Sequence, residues 1–185
     1  DENGELQNRL TEVSKLCRRT YESLDRSTNL LTAPRLDFKV EDIAKIAHNS
    51  VDPFARRHAE IRFSFRNNAE YTQVYADRFH LSEVILNLIR NAADAVKQQQ
   101  SPTIQCVIYS DARWISIGIR DNGPGLDAGD LAQVFEPFFS RNNSSMNWGI
   151  GLTYCHYVIE GHEGKIGIHN VAPRGAEAVV SLPLA

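Results

Sequence analysis

The chain has 185 residues and a formal net charge of -3, with 20 basic and 23 acidic residues spread along it. That length holds one sizeable core and an appendage. The lack of any basic concentration argues against nucleic acid as the main partner, and no apolar run is long enough to cross a bilayer.

The first element is a long amphipathic helix over 5–31, with Leu6, Leu10, Val13, Leu16 or Cys17, Tyr21, Leu24 and Leu31 forming a narrow apolar seam. Pro34 ends it. So long a seam calls for a partner helix, unless it packs back on its own domain. Leu36 to Phe38 reads as extended. A second helix is expected over 40–57, with Ile43, Ile46, Ala47, Val51 and Phe54 on one face, Glu41 and Asp42 in its first turn and a kink or break near Asp52 from Pro53. Ile61, Phe63 and Phe65 alternate with polar residues as a strand; Asn67-Asn68 turns, and Tyr71 to Ala76 is expected to pair back on it.

Leu81 to Val96 is the central helix, capped by Asp77. Leu81, Val84, Ile85, Leu88, Ile89, Ala92, Ala95 and Val96 form its apolar side, and Glu83, Asn87, Asn91 and Asp94 a polar stripe. Two strands over 103–109 and 114–120 make a hairpin, a helical turn is expected over 131–135, a helix over 149–160, and a closing hairpin from Ile166 to Leu182 that turns at Pro173-Arg174-Gly175. Such an order predicts a two-layer α/β domain with three helices on one face of a mixed sheet. Cys17, Cys106 and Cys155 lack paired metal-ligand spacing and read as free thiols in a reducing compartment.

Four stretches carry chemical suggestions. Asn is a poor helix former, yet Asn87 and Asn91 sit mid-helix. A carboxamide offers a hard oxygen suited to Mg²⁺; a solvated polar face explains the stripe equally well. Asp121-Asn122-Gly123-Pro124-Gly125 follows a strand directly. Its carboxylate could accept from an exocyclic amine such as that of adenine, with glycines allowing close approach, though a Gly/Pro-rich turn is the commoner meaning. Phe135-Glu136-Pro137-Phe138-Phe139 suits either a loop anchor or a hydrophobic plug. Gly149-Ile150-Gly151-Leu152 opens a helix, where backbone amides favour phosphate oxygens; a lone Gly-x-Gly is weak evidence. The polar run from Ser140 to Asn147 before it looks like a lid.

Taken in order, these stretches resemble the N, G1, F and G2 boxes of the GHKL ATPase superfamily, and most closely the catalytic ATP-binding domain of bacterial sensor histidine kinases. The resemblance covers about residues 40–185. It implies a Bergerat α/β sandwich over 36–185 that binds ATP and Mg²⁺, with residues 1–34 as the second helix of a dimerisation hairpin. By this resemblance Asn91 holds the metal, Asn87 meets the phosphates or the metal shell, and Asp121 recognises the adenine amine. Gly123, Gly125 and Leu126 line the nucleotide, while Gly149, Gly151 and Leu152 form the lid hinge. Arg90, Asp94 and Arg141 are further candidates. Members that hydrolyse ATP place a Glu where Asn87 stands; an amide is a poor general base, which favours transfer to a protein acceptor.

The resemblance further implies a homodimer through the first helix, a response-regulator receiver domain as partner, and a cytoplasmic location. None of the six histidines sits in a helix matching the family's acceptor, so the phosphorylated residue is expected outside this sequence. The lid departs from the family's Thr-Thr-Lys and Gly-Thr, reading Ser140-Arg141-Asn142 and Asn147-Trp148. The alternative is therefore a degenerate module that binds nucleotide or docks a partner without phosphotransfer. A serine kinase of the anti-sigma type is disfavoured by the long helix and the Phe-Phe segment.

Overall fold

The computed structural model describes residues 35–139 and 149–185. The expected helix over 5–31 and the lid over 140–147 lie outside the described residues. Two sheets form. Strands β1 (Lys39–Asp42) and β3 (Gln73–Ala76) make an antiparallel pair, and the larger sheet has the order β2 (Arg62–Asn67), β4 (Thr103–Ser110), β5 (Trp114–Asp121), β7 (Ala176–Pro183), β6 (Lys165–Asn170). Pairing within the larger sheet is antiparallel except for β2 on β4, which is parallel. Three longer helices, α1 (Ile43–Arg57), α2 (Arg78–Val96) and α4 (Gly151–Gly161), complete the expected two-layer architecture; α3 (Ala128–Leu131) is a single short turn.

Strand alternation decides which face the helices cover. Phe63, Phe65, Ile104, Cys106, Ile108, Ile115, Ile117, Ile119, Val180 and Leu182 lie in register on one face and join the core with α1, α2 and α4. Each fully buried isoleucine of β5 contributes about 1.5–3 kcal/mol through removal of its side chain from water. The opposite face is mixed: Ser116 meets Ser181 through their hydroxyls at 2.7 Å, and Lys165 Nζ lies 4.5 Å above the Trp114 ring. Helix α2 supplies buried residues all along its length, from Leu81 to Val96, and is the middle of the helical layer.

Four local expectations are corrected. Residues 40–42, expected in the first helical turn, are strand instead, because Lys39 to Asp42 find backbone partners in β3. Asp42 is then the cap of α1, accepting from Ala44 and Lys45 amides at 3.0 and 3.2 Å. For the same reason β3 pairs with β1 and not with β2, whose partner is β4. Pro53 leaves α1 unbroken: the carbonyl it cannot serve belongs to exposed Asn49, where water can reach it. The short helix falls at Ala128–Leu131, just after Asp127, instead of over 131–135. Asp77 does cap α2, accepting from the His80 amide at 3.0 Å, and its other oxygen accepts from the Asp37 amide at 2.8 Å.

Candidate functional site

Residues Asn87, Asn91 and Ala95 stand four apart on α2 and so form one row, about 12 Å from end to end at the helical rise. Both ends of that row touch glycines. A Cβ placed on Gly151 would lie 3.9 Å from Asn87 Cγ and Oδ1, and one on Gly123 would lie 2.9 Å from the Ala95 carbonyl oxygen and 3.0 Å from its Cβ. The start of α4 and the loop after β5 therefore border opposite ends of the same helical row, with Asn91 between them. Asn91 is exposed, whereas Asn87 is 8 % exposed and its carboxamide also meets the Cys155 thiol. Burial pushes that thiol up to about 12, so Cys155 is a small hydrophobe here and not a nucleophile.

Asp121 closes β5 on the helix-covered face, in register with Ile104. It is 8 % exposed, and its Oδ1 accepts from the Gly123 amide at 2.7 Å and the Ala176 amide at 3.4 Å. Burial pushes its carboxyl above the usual carboxylate range, and those two N–H bonds oppose the shift. A partly desolvated carboxylate at a strand end on the helix-covered face suits recognition of a single amine donor.

The other expected residues divide. Gly125, at φ +78°, has no room for a side chain, since a Cβ would lie 2.8 Å from Asn170 Oδ1. Leu126 is held through its backbone by Asn170. Gly149, at φ +67°, sits so tightly against the backbone of Phe138 and Phe139 that a Cβ would overlap them; the chain on either side of 140–148 meets there. Leu152 packs on the core, and Asp94 pairs with Lys97 at 2.6 Å, so both have structural partners. Arg90 is exposed, with Nη1 3.5 Å from Asn87 Oδ1, the outer limit of a hydrogen bond. Arg141 lies outside the described residues. Of the aromatic segment, Phe138 is exposed while Phe135 faces the His156 ring at 5.7 Å.

Sequence reasoning missed Asn122, Asn170, Gly175 and the Ala176 amide. Gly175 was legible only as a turn, yet its φ of +117° and its contact with Asp121 place it under the site. Asn170 ends β6 with no local signal, because its partner is 44 residues away. Among the described residues no group of three or more His, Cys, Asp or Glu is arranged to hold a metal.

The family model described as histidine kinase-, DNA gyrase B-, and HSP90-like ATPase matches residues 76–185, from β3 to the end of the chain. The signal transduction histidine-protein kinase AtoS of Escherichia coli (strain K12) is 32% identical over 126 residues, covering 68% of this chain and 20% of that protein. The sensor protein RprX of Bacteroides fragilis (strain YCH46) is 26% identical over 155 residues, covering 80% of this chain and 30% of that protein. The chain thus spans less than a third of either relative. Among solved structures, the catalytic domain of histidine kinase ThkA superposes with a TM-score of 0.71 at 25% identity, covering 80% of this chain and 95% of that one. The mycobacterial sensor histidine kinase MprB gives 0.69 at 25% identity, covering 80% and 97%. Matched from β3 onward and superposed on such catalytic domains, the chain belongs to the histidine kinase-, DNA gyrase B-, and HSP90-like ATPase family, as an ATPase domain of the histidine kinase type.

Proposed function

We propose that this domain binds ATP with Mg²⁺ along the Asn87–Asn91–Ala95 row and presents the γ-phosphoryl to a histidine elsewhere in its parent protein. The observation that carries the reading is the row itself: one end faces the glycine start of a helix and the other the loop behind a buried carboxylate. A span of about 12 Å suits a nucleotide laid along the helix. In this reading Asp121 accepts from the adenine amine, Gly123, Gly125 and Leu126 line the base, and the amides near Gly149, Gly151 and Leu152 face the phosphates. Arg90, and by the family resemblance Arg141, are the proposed cationic contacts to the triphosphate.

In this reading Asn91 holds Mg²⁺. Its neutral oxygen and its exposure fit an ion that retains waters and phosphate ligands. Bound there, Mg²⁺ would neutralise charge on the transferring group. Asn87 carries no carboxylate to activate water, which favours transfer to a protein side chain over hydrolysis.

The receiving partner is a histidine outside this sequence, followed by a response-regulator receiver domain. ThkA, whose catalytic domain superposes on this chain, has been solved in complex with the response regulator TrrA. Dimerisation through residues 1–34 and a cytoplasmic setting, where ATP is abundant, complete the proposal; among the described residues no helix is long and apolar enough to cross a membrane.

Calorimetry with ATP, with and without Mg²⁺, tests the binding. A helix carrying the acceptor histidine, supplied in trans with radiolabelled ATP, tests the transfer. Label on that histidine supports the kinase; tight Mg²⁺-ATP binding without label would identify the degenerate module instead.

A further inference from the structure

The loop that follows Asp121 is fixed at both ends by asparagine carboxamides, each acting as a substitute peptide group. Asn122 Oδ1 accepts from the Thr103 amide at 2.9 Å while its Nδ2 donates to the Ser101 carbonyl at 2.8 Å. Asn170 Oδ1 accepts from the Leu126 amide at 2.8 Å while its Nδ2 donates to the Leu126 carbonyl at 2.7 Å. Two bonds of opposite sense to one residue are what a neighbouring β-strand would supply. The chain from Asp121 to Leu126 contains two glycines and a proline, and its register with β4 ends at Asp121, followed by one backbone bond from the Asn122 amide to the Thr103 carbonyl at 3.3 Å. Left untethered, such a segment would sample many backbone states, and each residue ordered on binding would carry an entropic cost.

We propose that Asn170 is a positioning residue for the nucleotide, acting through Gly125 and Leu126. It reaches from the end of β6 to the far end of the loop, so it sets where the loop lies relative to Asp121, whose own position is fixed by the Gly123 and Ala176 amides. Gly125 is pressed against the Asn170 carboxamide, and only a residue without a side chain fits at its φ of +78°. Asn170 thereby keeps the surface under the base assembled before ligand arrives. The chemistry of the side chain is specific. An aspartate at 170 keeps the acceptor for the Leu126 amide but sets a second carboxylate oxygen against the Leu126 carbonyl. An alanine removes both bonds.

This inference rests on the proposed nucleotide site, and the experiment separates the two. ATP affinity is measured by calorimetry for the wild-type chain, Asn170→Asp and Asn170→Ala, beside amide hydrogen exchange and thermal melting of the free proteins. Asn170 is exposed, so melting should shift little. Asn170→Ala should weaken ATP about tenfold, the scale expected when one more residue must be ordered on binding. Asn170→Asp should fall between, and exchange should rise at Gly123, Gly125 and Leu126 while the sheet stays protected. Wild-type protein that fails to bind ATP would overturn the site reading. Wild-type binding with equal affinity in all three proteins would overturn the role of Asn170. A lowered melting point with exchange raised across the sheet would assign Asn170 to the fold alone and overturn it as well.

Discussion

The Asp121 carbonyl occupies the space in which any side chain on Gly175 would begin. Gly175 also has a φ of +117°, so both sterics and backbone require glycine there. Gly175→Ala should destabilise the fold by about 1–3 kcal/mol and, by displacing the end of β5, weaken ATP binding. Gly167→Ala is the control, because nothing lies within 4 Å of a Cβ there; urea melting and calorimetry should find it unchanged or slightly more stable.

Asp121→Asn keeps an acceptor for the Gly123 and Ala176 amides while removing a charge that burial disfavours. The raised carboxyl pKa means that ionised Asp121 costs stability above that pKa, a cost that vanishes below the unfolded value. The variant should therefore melt at the same or a higher temperature at neutral pH. ATP should bind about 10- to 100-fold more weakly, as expected for loss of a hydrogen bond to a charged group. Inosine triphosphate, which lacks the exocyclic amine, should lose much less; equal losses for both nucleotides would remove the adenine role.

Asn91 is exposed and lies outside the apolar core, so Asn91→Ala should leave circular dichroism and melting unchanged. Its effect should appear in the Mg²⁺-dependent part of ATP affinity, which calorimetry with and without the ion isolates. Persistence of the full Mg²⁺ increment in the variant would show that the ion is held elsewhere.

The His162 ring links the end of α4 to the start of α2. Its Nδ1 lies 2.7 Å from the Val158 carbonyl and its Nε2 2.9 Å from the Asp77 amide. A carbonyl can only accept and an amide N–H can only donate, so the ring is neutral with its proton on Nδ1. Burial lowers its pKa from 6.5, with nearby His80 acting in the same direction and Asp77 against it. A depressed histidine pKa contributes stability that is present above the unfolded value and is lost as pH falls through the folded one. Urea midpoints should drop as the pH falls below 6.5, before the Asp42 and Asp77 carboxylates titrate below 3.8. A non-titrating His162→Gln should be less stable at neutral pH and lack that drop.

Thr153 is 2 % exposed, and its hydroxyl has no hydrogen-bond partner among the described residues. Replacing it by a side chain of the same shape removes that desolvation cost. Thr153→Val should be neutral or stabilising by up to about 1–3 kcal/mol, read as a raised melting temperature.

The central helix, its cap and the β4–β5 and β6–β7 hairpins were legible because each is specified locally. Leu81 to Val96 carries helical periodicity, Asp77 sits at a capping position, and short turns join the hairpin strands. The order of the polar stretches also carried the family resemblance. What stayed hidden depends on distant partners. Residues 40–42 read as helix because β3, which makes them a strand, lies 30 residues on. The Asn170 bond to Leu126 and the Gly175 contact with Asp121 join segments with no shared local pattern. Asn87 and Asn91 looked equivalent in the stripe, and only packing against α4 separates a buried amide from an exposed one.

The parallel pairing of β2 with β4 has a kinetic consequence. A parallel pair cannot close through a tight turn, and here the connection runs through β3 and all of α2. During synthesis β2 leaves the ribosome before β4 does, yet it has nowhere to dock until β4 exists. The local hairpins can zip early, whereas this edge must wait for a long loop to close. Until then the outer margin of β4 stays open, which makes it the margin through which nascent chains would associate wrongly.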